Sequence, residues 1–305
     1  MEQLVKSNRH LNIKDIKELF FKILFLACAI FSVVAVLAII IFIFARSFPT
    51  IFDIGFFRFV FGNEWNPNEG NYGVLPMVVG SLYVTAGAIV IGMLFGLFTG
   101  VFIAVFAHKK VKKPAKQIVS LLAGIPSVVF GLFGIVFILP IMVDISPTGY
   151  PFGTLAGSLV LGMMILPTIV ALSATSIEAV PQSYYEGALA LGATHEQAAF
   201  KVVVPAARSG IVASIILGIG RALGETMAVR MVLSNNSTMP TTFWGLFDSF
   251  STLTTHIVNG LAESGGSDAD VLIATGAVLF IFILLLNICL RLLTRERKLT
   301  RGKKS

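Results

Sequence analysis

Two ionisable residues, Arg221 and Glu225, interrupt an apolar run that covers residues 209–233. Residues four positions apart share one face of a helix, so this guanidinium and this carboxylate can pair. Counted inward from the start of the run, Arg221 lies about 18 Å deep, near the midplane of a bilayer that the run would cross. An arginine at that depth costs about 2.5–3.5 kcal/mol on the insertion scale. Two interpretations remain open: a buried salt bridge that only joins helices, or a pair that lines a translocation path.

The sequence has none of the common enzyme signatures that we considered. It contains no G-x-x-x-x-G-K-[ST] phosphate loop, no H-E-x-x-H pair and no G-x-S-x-G elbow. The four histidines are scattered and do not have metal-ligand spacing on one helix face: His10, His108, His195 and His256. We therefore predict no catalytic residue, no metal site and no cofactor bound by this chain, and we expect that it does not itself hydrolyse ATP.

The composition is that of a membrane protein. Of the 305 residues, 56% are hydrophobic and only 13% are charged, about half the charged fraction of an ordinary soluble domain. So few charges cannot cover the surface of a soluble fold, which excludes a soluble enzyme, a disordered chain and a disulfide scaffold. Cys28 and Cys289 lie in apolar runs near opposite ends of the chain, where we expect packing rather than a disulfide.

Six apolar runs are long enough to cross the bilayer, which needs about 20 residues. They cover residues 23–45, 74–107, 118–143, 152–177, 209–233 and 271–290. The second run is too long for one upright crossing, and we expect Pro76 to open its helix at the outer surface. The sequence thus predicts an all-α integral membrane protein with six transmembrane helices. Residues 74–290 would form its main domain, behind a first crossing at residues 23–45.

The basic residues give the orientation of these crossings. Nineteen of the 23 Lys and Arg residues lie in alternate segments, including both tails, and two lie in the loops of the opposite side. Both termini are therefore predicted to be cytoplasmic, with a basic tail at residues 291–305. This distribution also excludes nucleic acid as a partner, because the bases do not gather on one face.

Two other segments have more than one interpretation. Residues 12–22 have apolar and basic sides, which predicts a short amphipathic helix on the membrane surface within a tail at residues 1–22. The alternative is a charged tail continuous with the first crossing. Gly92, Gly96 and Gly100 form a ladder at helical spacing that favours close helix packing, with a helix beside a pathway as the alternative.

The cytoplasmic loop at residues 178–208 has the form of a docking element. A helix is predicted over residues 181–191 and is ended by Gly192, and a second helix over residues 193–204 is ended by Pro205. Two short helices joined by a glycine can sit in a groove of a partner. The alternative is an ordinary structured loop.

The same loop resembles the EAA loop of bacterial ABC-importer permeases. That pattern is E-A-A, three residues, G, nine residues and I-x-L-P; here Glu186, Gly187 and Ala188 are followed at the same spacing by Gly192 and Pro205. Gly187 stands in place of alanine, and two valines replace isoleucine and leucine. The resemblance implies a type I, MetI-like permease core whose loop docks into an ATPase subunit and transmits its closure to the crossings.

Two further stretches resemble the PstC family of phosphate-importer permeases. One is GIGRALGETMAV at residues 218–229, and the other is the outer loop at residues 63–76. The matching outer-loop residues are Trp65, Pro67, Tyr72, Gly73 and Pro76. Ser81 departs from the family, which often has threonine there. The resemblance implies the inner-membrane permease of an ATP-driven phosphate importer.

The resemblance also implies partners: a PstA-like sister permease, two PstB-like ATPase subunits that use the ATP, and an extracytoplasmic PstS-like phosphate-binding protein. Our hypothesis for the two ionisable residues is a gate in which Arg221 pairs with Glu225 at rest and is freed to meet the anion on opening. A permease for another oxyanion and a secondary anion transporter remain as alternatives. A secondary transporter would leave the spacing of the EAA pattern unexplained.

Overall fold

The computed structural model describes residues 13–147, 149–234, 247–248, 250–263 and 269–299, and the regular secondary structure of this part is helical apart from one hairpin. Its helices and strands are, in chain order, α1 (Ile13–Ile54), α2 (Phe56–Phe61), β1 (Trp65–Asn66), β2 (Asn71–Tyr72), α3 (Leu75–Val101), α4 (Lys109–Ala123), α5 (Ser127–Phe133), α6 (Leu139–Ile145), α7 (Thr154–Glu178), α8 (Gln182–Ala190), α9 (His195–Gln197), α10 (Val204–Ala206), α11 (Arg208–Gly224), α12 (Met227–Arg230), α13 (Leu253–Glu263) and α14 (Ala269–Leu299). Segments of π-helix continue α3 and join α5 to α6 and α9 to α10: Phe102–Phe106, Gly134–Ile138 and Ala198–Val203.

Within the described residues, five helical segments are long and apolar enough to cross a bilayer. They are Lys17–Ile54, Leu75–Phe106, Ser127–Ile145, Thr154–Glu178 and Ala269–Leu290. The helices His195–Ala206 and Arg208–Gly224, which are bent by 70° relative to each other, meet the same criterion when they are taken together. The six predicted crossings therefore correspond to five long helices and one bent pair.

The N-terminal helix differs from the sequence prediction. α1 is continuous from Ile13 to Ile54, so the predicted separate surface helix is wrong and the alternative of a helix continuous with the first crossing is correct. Residues 13–48 contain neither glycine nor proline, and nothing in the sequence stops the helix there. Its 42 residues extend about 63 Å, well past the predicted end at residue 45. Residues 1–12 of the predicted tail at residues 1–22 lie outside the described residues.

The third crossing begins later than predicted. α4 ends at Ala123, and the crossing starts at Ser127 directly after Pro126. Proline disfavours helical backbone at the residue before it, here Ile125, which separates the two helices. The apolar residues from 118 to 123 therefore belong to the amphipathic helix α4 rather than to the crossing.

The last helix is longer than predicted. α14 continues to Leu299, so most of the predicted basic tail at residues 291–305 is a helical extension of the sixth crossing. The leucine, arginine and lysine residues of this extension are good helix formers, and residues 291–300 contain neither glycine nor proline. Residues 300–305 lie outside the described residues.

The glycine ladder of α3 packs against α7. A Cβ on Gly92 would lie 2.8 Å from Ile165 Cγ1, and one on Gly96 would lie 2.9 Å from Ile169 Cγ2. Ile165 and Ile169 are buried at the centre of the main hydrophobic core. Because these small residues let the two backbones approach, the helix-packing interpretation of the ladder is confirmed.

Candidate functional site

The fifth apolar run breaks between Arg221 and Glu225. Arg221 lies in the last turn of α11, which ends at Gly224. Glu225 has extended backbone, with φ −76° and ψ 136°, and α12 starts at Met227. Arg221 and Glu225 therefore do not lie on one continuous helix, and the predicted geometry of a helical i, i+4 pair is wrong. Glycine is a poor helix former, which favours a break at this point.

Arg221 is held by α7 instead of by Glu225. Its Nη1 donates a hydrogen bond of 2.9 Å to Thr168 Oγ1, one residue after Pro167 of α7. Three ion pairs are found in the described part of the chain, and none involves Arg221 or Glu225. The resting pair expected from the sequence is therefore absent from this structure.

Glu225 satisfies the backbone groups that the helix break exposes. Its Oε1 accepts a 3.3 Å hydrogen bond from the Ala228 N–H, in the first turn of α12. Its own carbonyl accepts a 2.9 Å bond from Thr254 Oγ1, which lies 29 residues further along the chain. Irregular backbone inside a membrane domain must find such partners because lipid supplies none.

The start of α13 provides a cluster of hydroxyl groups beside this break. Thr252 and Thr255 cap the helix reciprocally, each side-chain oxygen accepting the backbone N–H of the other at 3.3 and 2.9 Å. The Leu253 N–H donates to Ser81 Oγ of α3 at 3.0 Å. Ser81 thus joins α3 to the N-terminus of α13, although the sequence marked it only as a departure from the family.

A small polar cleft of about 10 Å³, the space of a single water molecule, lies between these elements. The side chains that line it with oxygen atoms are Ser81, Thr85, Glu225, Thr252 and Thr254. The sequence reasoning missed the threonines, although the run Ser-Thr-Leu-Thr-Thr before an amphipathic helix is a recognisable N-cap signal. Within the described residues, no three His, Cys, Asp or Glu side chains gather closely enough to hold a metal ion.

The outer-loop motif forms a hairpin that packs onto α13. β1 pairs antiparallel with β2, and Trp65 faces Tyr72 with ring centroids 5.4 Å apart. The Trp65 ring also packs edge-to-face against the His256 ring, with the ring centroids 4.4 Å apart. Burial lowers the pKa of His256 to about 4. The hairpin therefore connects the outer loop to the helix that carries the threonine cluster.

The other motif residues of the outer loop shape the backbone. Pro67 opens the 3₁₀ turn between the strands, and Pro76 lies in the first turn of α3 as predicted. A Cβ on Gly73 would collide with the Gly62 backbone, so this close approach requires glycine. Arg58 donates a short hydrogen bond to the Asn71 side chain at the edge of the hairpin.

The cytoplasmic loop has the predicted helix–glycine–helix form. α8 ends in a Schellman motif, in which the Ala193 N–H donates to the Ala188 carbonyl and the Gly192 N–H to the Leu189 carbonyl. Gly192 has φ +85°, so its role as the C-terminal cap is confirmed. Gly187 has no atom within 4 Å of the position where a Cβ would lie, in agreement with its alignment to alanine in the EAA pattern.

The second half of the loop bends later than predicted. Thr194 and Gln197 form a capping box at its start, and the Tyr185 hydroxyl is hydrogen-bonded to His195 Nδ1 at 2.7 Å. Pro205 does not end this helix, because proline is tolerated in the first turn of α10. The 70° bend lies at Ala207, between α10 and α11.

The exposed face of the loop is separate from the Arg221 site. Leu191, next to the cap, is 92% exposed, and Tyr184 is more than half exposed. Glu186 accepts a hydrogen bond from Gln182 Nε2 at 2.7 Å on the surface of α8. An exposed leucine and tyrosine on a short rigid helix suit docking to a partner.

A family model matches residues 92–296 and is described as the inner membrane component of binding-protein-dependent transport systems. The chain belongs to this family. It is therefore a component of the cell (inner) membrane and the permease part of an ABC transporter. Permeases of this family work with an ATPase and a substrate-binding protein.

Relatives at about 30% identity extend over almost the whole chain. The probable ABC transporter permease protein YqgH of Bacillus subtilis is 33% identical and aligns 97% of this chain with 96% of its own. The phosphate transport system permease protein PstC of Haemophilus influenzae is 30% identical, over 98% of this chain and 100% of its own. PstC 2 of Mycobacterium tuberculosis is 31% identical, over 90% of both chains.

Solved structures of ABC importers share the fold. An inward-facing MetNI methionine transporter chain matches with a TM-score of 0.58 at 21% identity, over 73% of this chain and 95% of that chain. A chain of a bacterial alginate importer matches with a TM-score of 0.56 at 16% identity, over 93% and 98%. The predicted all-α, MetI-like permease fold is thereby confirmed.

Proposed function

We propose that this chain is the transmembrane permease subunit of an ATP-driven importer of inorganic phosphate. The observation that carries the proposal is the similarity to PstC phosphate permeases along nearly the full chain. Its sister permease is PstA-like, its two ATPase subunits are PstB-like and hydrolyse the ATP, and its binding protein is PstS-like. The chain itself binds no cofactor.

Arg221 supplies the chemistry that an oxyanion needs in this proposal. A guanidinium has five N–H donors in a planar fork, and the bond to Thr168 engages one nitrogen. The remaining donors match phosphate oxygens, with charge-assisted hydrogen bonds. In the resting state, therefore, Thr168 rather than Glu225 orients the guanidinium.

Glu225 belongs to the same pathway but has a different task. A carboxylate repels an oxyanion, and here it is engaged by the Ala228 N–H at the helix break. It keeps the broken helix in shape beside the polar cleft, so that Arg221 remains the group that meets the anion. Broken helices of this kind are typical of substrate sites near the midplane.

The cytoplasmic loop couples this site to ATP hydrolysis. Glu186, Gly187, Ala188 and Gly192 present α8 to the ATPase, and Pro205 lies beside the bend that leads into α11. Closure of the ATPase dimer would then move α11 and the Arg221 it carries.

Reconstitution of the purified complex tests the function. The chain is co-expressed with its candidate ATPase, sister permease and binding protein, and uptake of radiolabelled phosphate into proteoliposomes is measured with and without ATP. We expect ATP-dependent uptake that excess sulfate or molybdate does not inhibit. Uptake of another oxyanion in preference to phosphate, or uptake driven by an ion gradient without the ATPase, would contradict the proposal.

An Arg221→Lys variant tests the site in the same assay. Lysine keeps the positive charge but has no planar fork, so it cannot hold two oxyanion oxygens in bidentate geometry while it is bound to Thr168. We expect the complex to assemble and phosphate uptake to fall at least tenfold. Normal uptake by an assembled variant would remove Arg221 from the pathway.

A further inference from the structure

A second polar cavity lies at the cytoplasmic end of the molecule, and Arg221 does not line it. It encloses about 540 Å³ between α4, the end of α7 and the start of α8. The charged and polar side chains that line it are Lys109, Lys112, Lys116, Glu178, Gln182 and Tyr185. The proposed transport function uses none of the three lysines.

The cavity carries an excess of positive charge. Glu178 Oε1 lies 2.9 Å from Lys112 Nζ, and its Oε2 lies 2.6 Å from Lys116 Nζ. Lys112 and Lys116 therefore share one carboxylate, and Lys109 also lines the cavity, so three lysines and one carboxylate leave a formal excess of two positive charges. Gln182 Nε2 and the Tyr185 hydroxyl are engaged by Glu186 and His195. An anion is the ligand that such a cavity attracts.

The helix that supplies the lysines has the form of an interfacial helix. Val111, Ile118 and Leu122 fall on one stripe of α4 at helical spacing, and all three are exposed; Leu121 beside them is 72% exposed. The lysines occupy the opposite side. Val119 lies between the two sides and is buried against the protein core. A helix with an apolar stripe and a basic face lies at the membrane surface with the stripe in lipid.

We propose that this cavity binds the phosphodiester headgroup of an anionic phospholipid in the cytoplasmic leaflet. The same helix presents an apolar stripe for acyl chains and lysines for the phosphate, which a soluble anion would not require. Basic pockets between helices on the cytoplasmic side are a recognised form of lipid site. Because α8 borders the cavity, the lipid lies directly beside the loop that docks to the ATPase. The site is independent of which oxyanion is transported.

Photo-crosslinking in proteoliposomes tests this site in the assembled complex. Photoactivatable phosphatidylglycerol is compared with the matching phosphatidylcholine, and the crosslinks on residues 104–123 are quantified by mass spectrometry. We expect a clear preference for phosphatidylglycerol, and a yield at least about fivefold lower in Lys109→Gln, since that variant loses a charge-assisted hydrogen bond to the phosphate inside the cavity. Lys109→Arg retains the charge and should retain the yield.

Lys110→Gln is the matched control, because it removes the same charge from the same helix at a position that does not line the cavity. The crosslinking yield of Lys110→Gln should fall by less than about twofold. Equal labelling by both lipids, or equal loss in Lys109→Gln and Lys110→Gln, would overturn the proposal. Displacement of the lipid by millimolar inorganic phosphate, but not by sulfate of equal ionic strength, would assign the cavity to a free anion instead.

Discussion

The guanidinium of Arg221 and the hydroxyl of Thr168 lie 2.9 Å apart, across the contact between α11 and α7. Thr168 directly follows Pro167, at a point where α7 lacks one backbone N–H. Thr168 thus connects the cation of the broken fifth crossing to a continuous helix. This contact replaces the Arg221–Glu225 pair that the spacing of the two residues predicts.

Thr168→Val should reduce phosphate uptake while the complex still assembles. Valine has nearly the shape of threonine but cannot accept the Arg221 hydrogen bond, and a bond to a charged group contributes about 1.5–3 kcal/mol. We expect uptake to fall about tenfold, measured as the initial rate in proteoliposomes. Thr168→Ser keeps the hydroxyl and should stay within about twofold. If valine and serine have the same effect, the hydrogen bond does not position Arg221.

Glu225→Ala should destabilise the protein, whereas Glu225→Gln should not. Glutamine retains an oxygen that can accept the Ala228 N–H, and alanine removes this cap at a cost of about 1 kcal/mol. Thermal unfolding of the purified complex compares the stability of the wild type, Glu225→Gln and Glu225→Ala, and only Glu225→Ala should unfold at a lower temperature. Equal destabilisation by glutamine and alanine would show that the charge, and not the cap, supports the helix break.

Gly192→Ala should weaken the coupling of ATP hydrolysis to transport. A side chain at φ +85° costs about 1–2 kcal/mol, although no neighbouring atom would obstruct the new Cβ. The measurement is the number of phosphate ions transported per ATP hydrolysed, which we expect to fall. Larger side chains at this position should act in the same direction.

Gly187→Ala is the matched control for the coupling loop. It also adds one methyl group to α8 in open space, but at a helical position where alanine is better than glycine by about 1 kcal/mol. Its coupling ratio should equal or exceed that of the wild type. A loss of coupling in both variants would indicate that any added methyl group disturbs docking. The backbone conformation at Gly192 would then not be the cause.

Acidification should loosen the outer hairpin through His256. Burial lowers the pKa of His256 from 6.5 to about 4, so the unfolded state binds the proton more readily than the folded state. The stability associated with the neutral ring is complete above pH 6.5 and is lost as the pH falls towards 4. Between pH 7 and pH 5 we expect a loss of about 2 kcal/mol in the free energy of unfolding.

His256→Phe tests this assignment, since phenylalanine keeps an aromatic contact with Trp65 but cannot be protonated. The difference in unfolding free energy between pH 7 and pH 5 should be smaller in the variant than in the wild type. Other groups titrate in both proteins and cancel in this comparison. Equal differences would mean that another residue is responsible for the acid sensitivity.

Some features follow from local sequence, whereas features that distant residues support do not. The cap at Gly192 depends on residues 188–193 alone, and the ladder at Gly92 and Gly96 follows from spacing within one helix. The break at Glu225 was missed because its support comes from Thr254, which is distant in the sequence. Apolar composition alone also does not show where the crossing begins within the run at residues 118–143, because the apolar stripe of α4 has the same composition as the start of a crossing.

In the proposed function, the bend at Ala207 would let the loop and the fifth crossing act as a lever. The arm from Arg208 to Arg221 is about 20 Å long, and the other arm is the part of the loop that follows Gly192. A rotation of about 5° about the bend displaces the far end of such an arm by about 2 Å. That displacement would be enough to break a 2.9 Å hydrogen bond, so in the proposed function a small tilt applied at the ATPase would suffice to release Arg221 from Thr168.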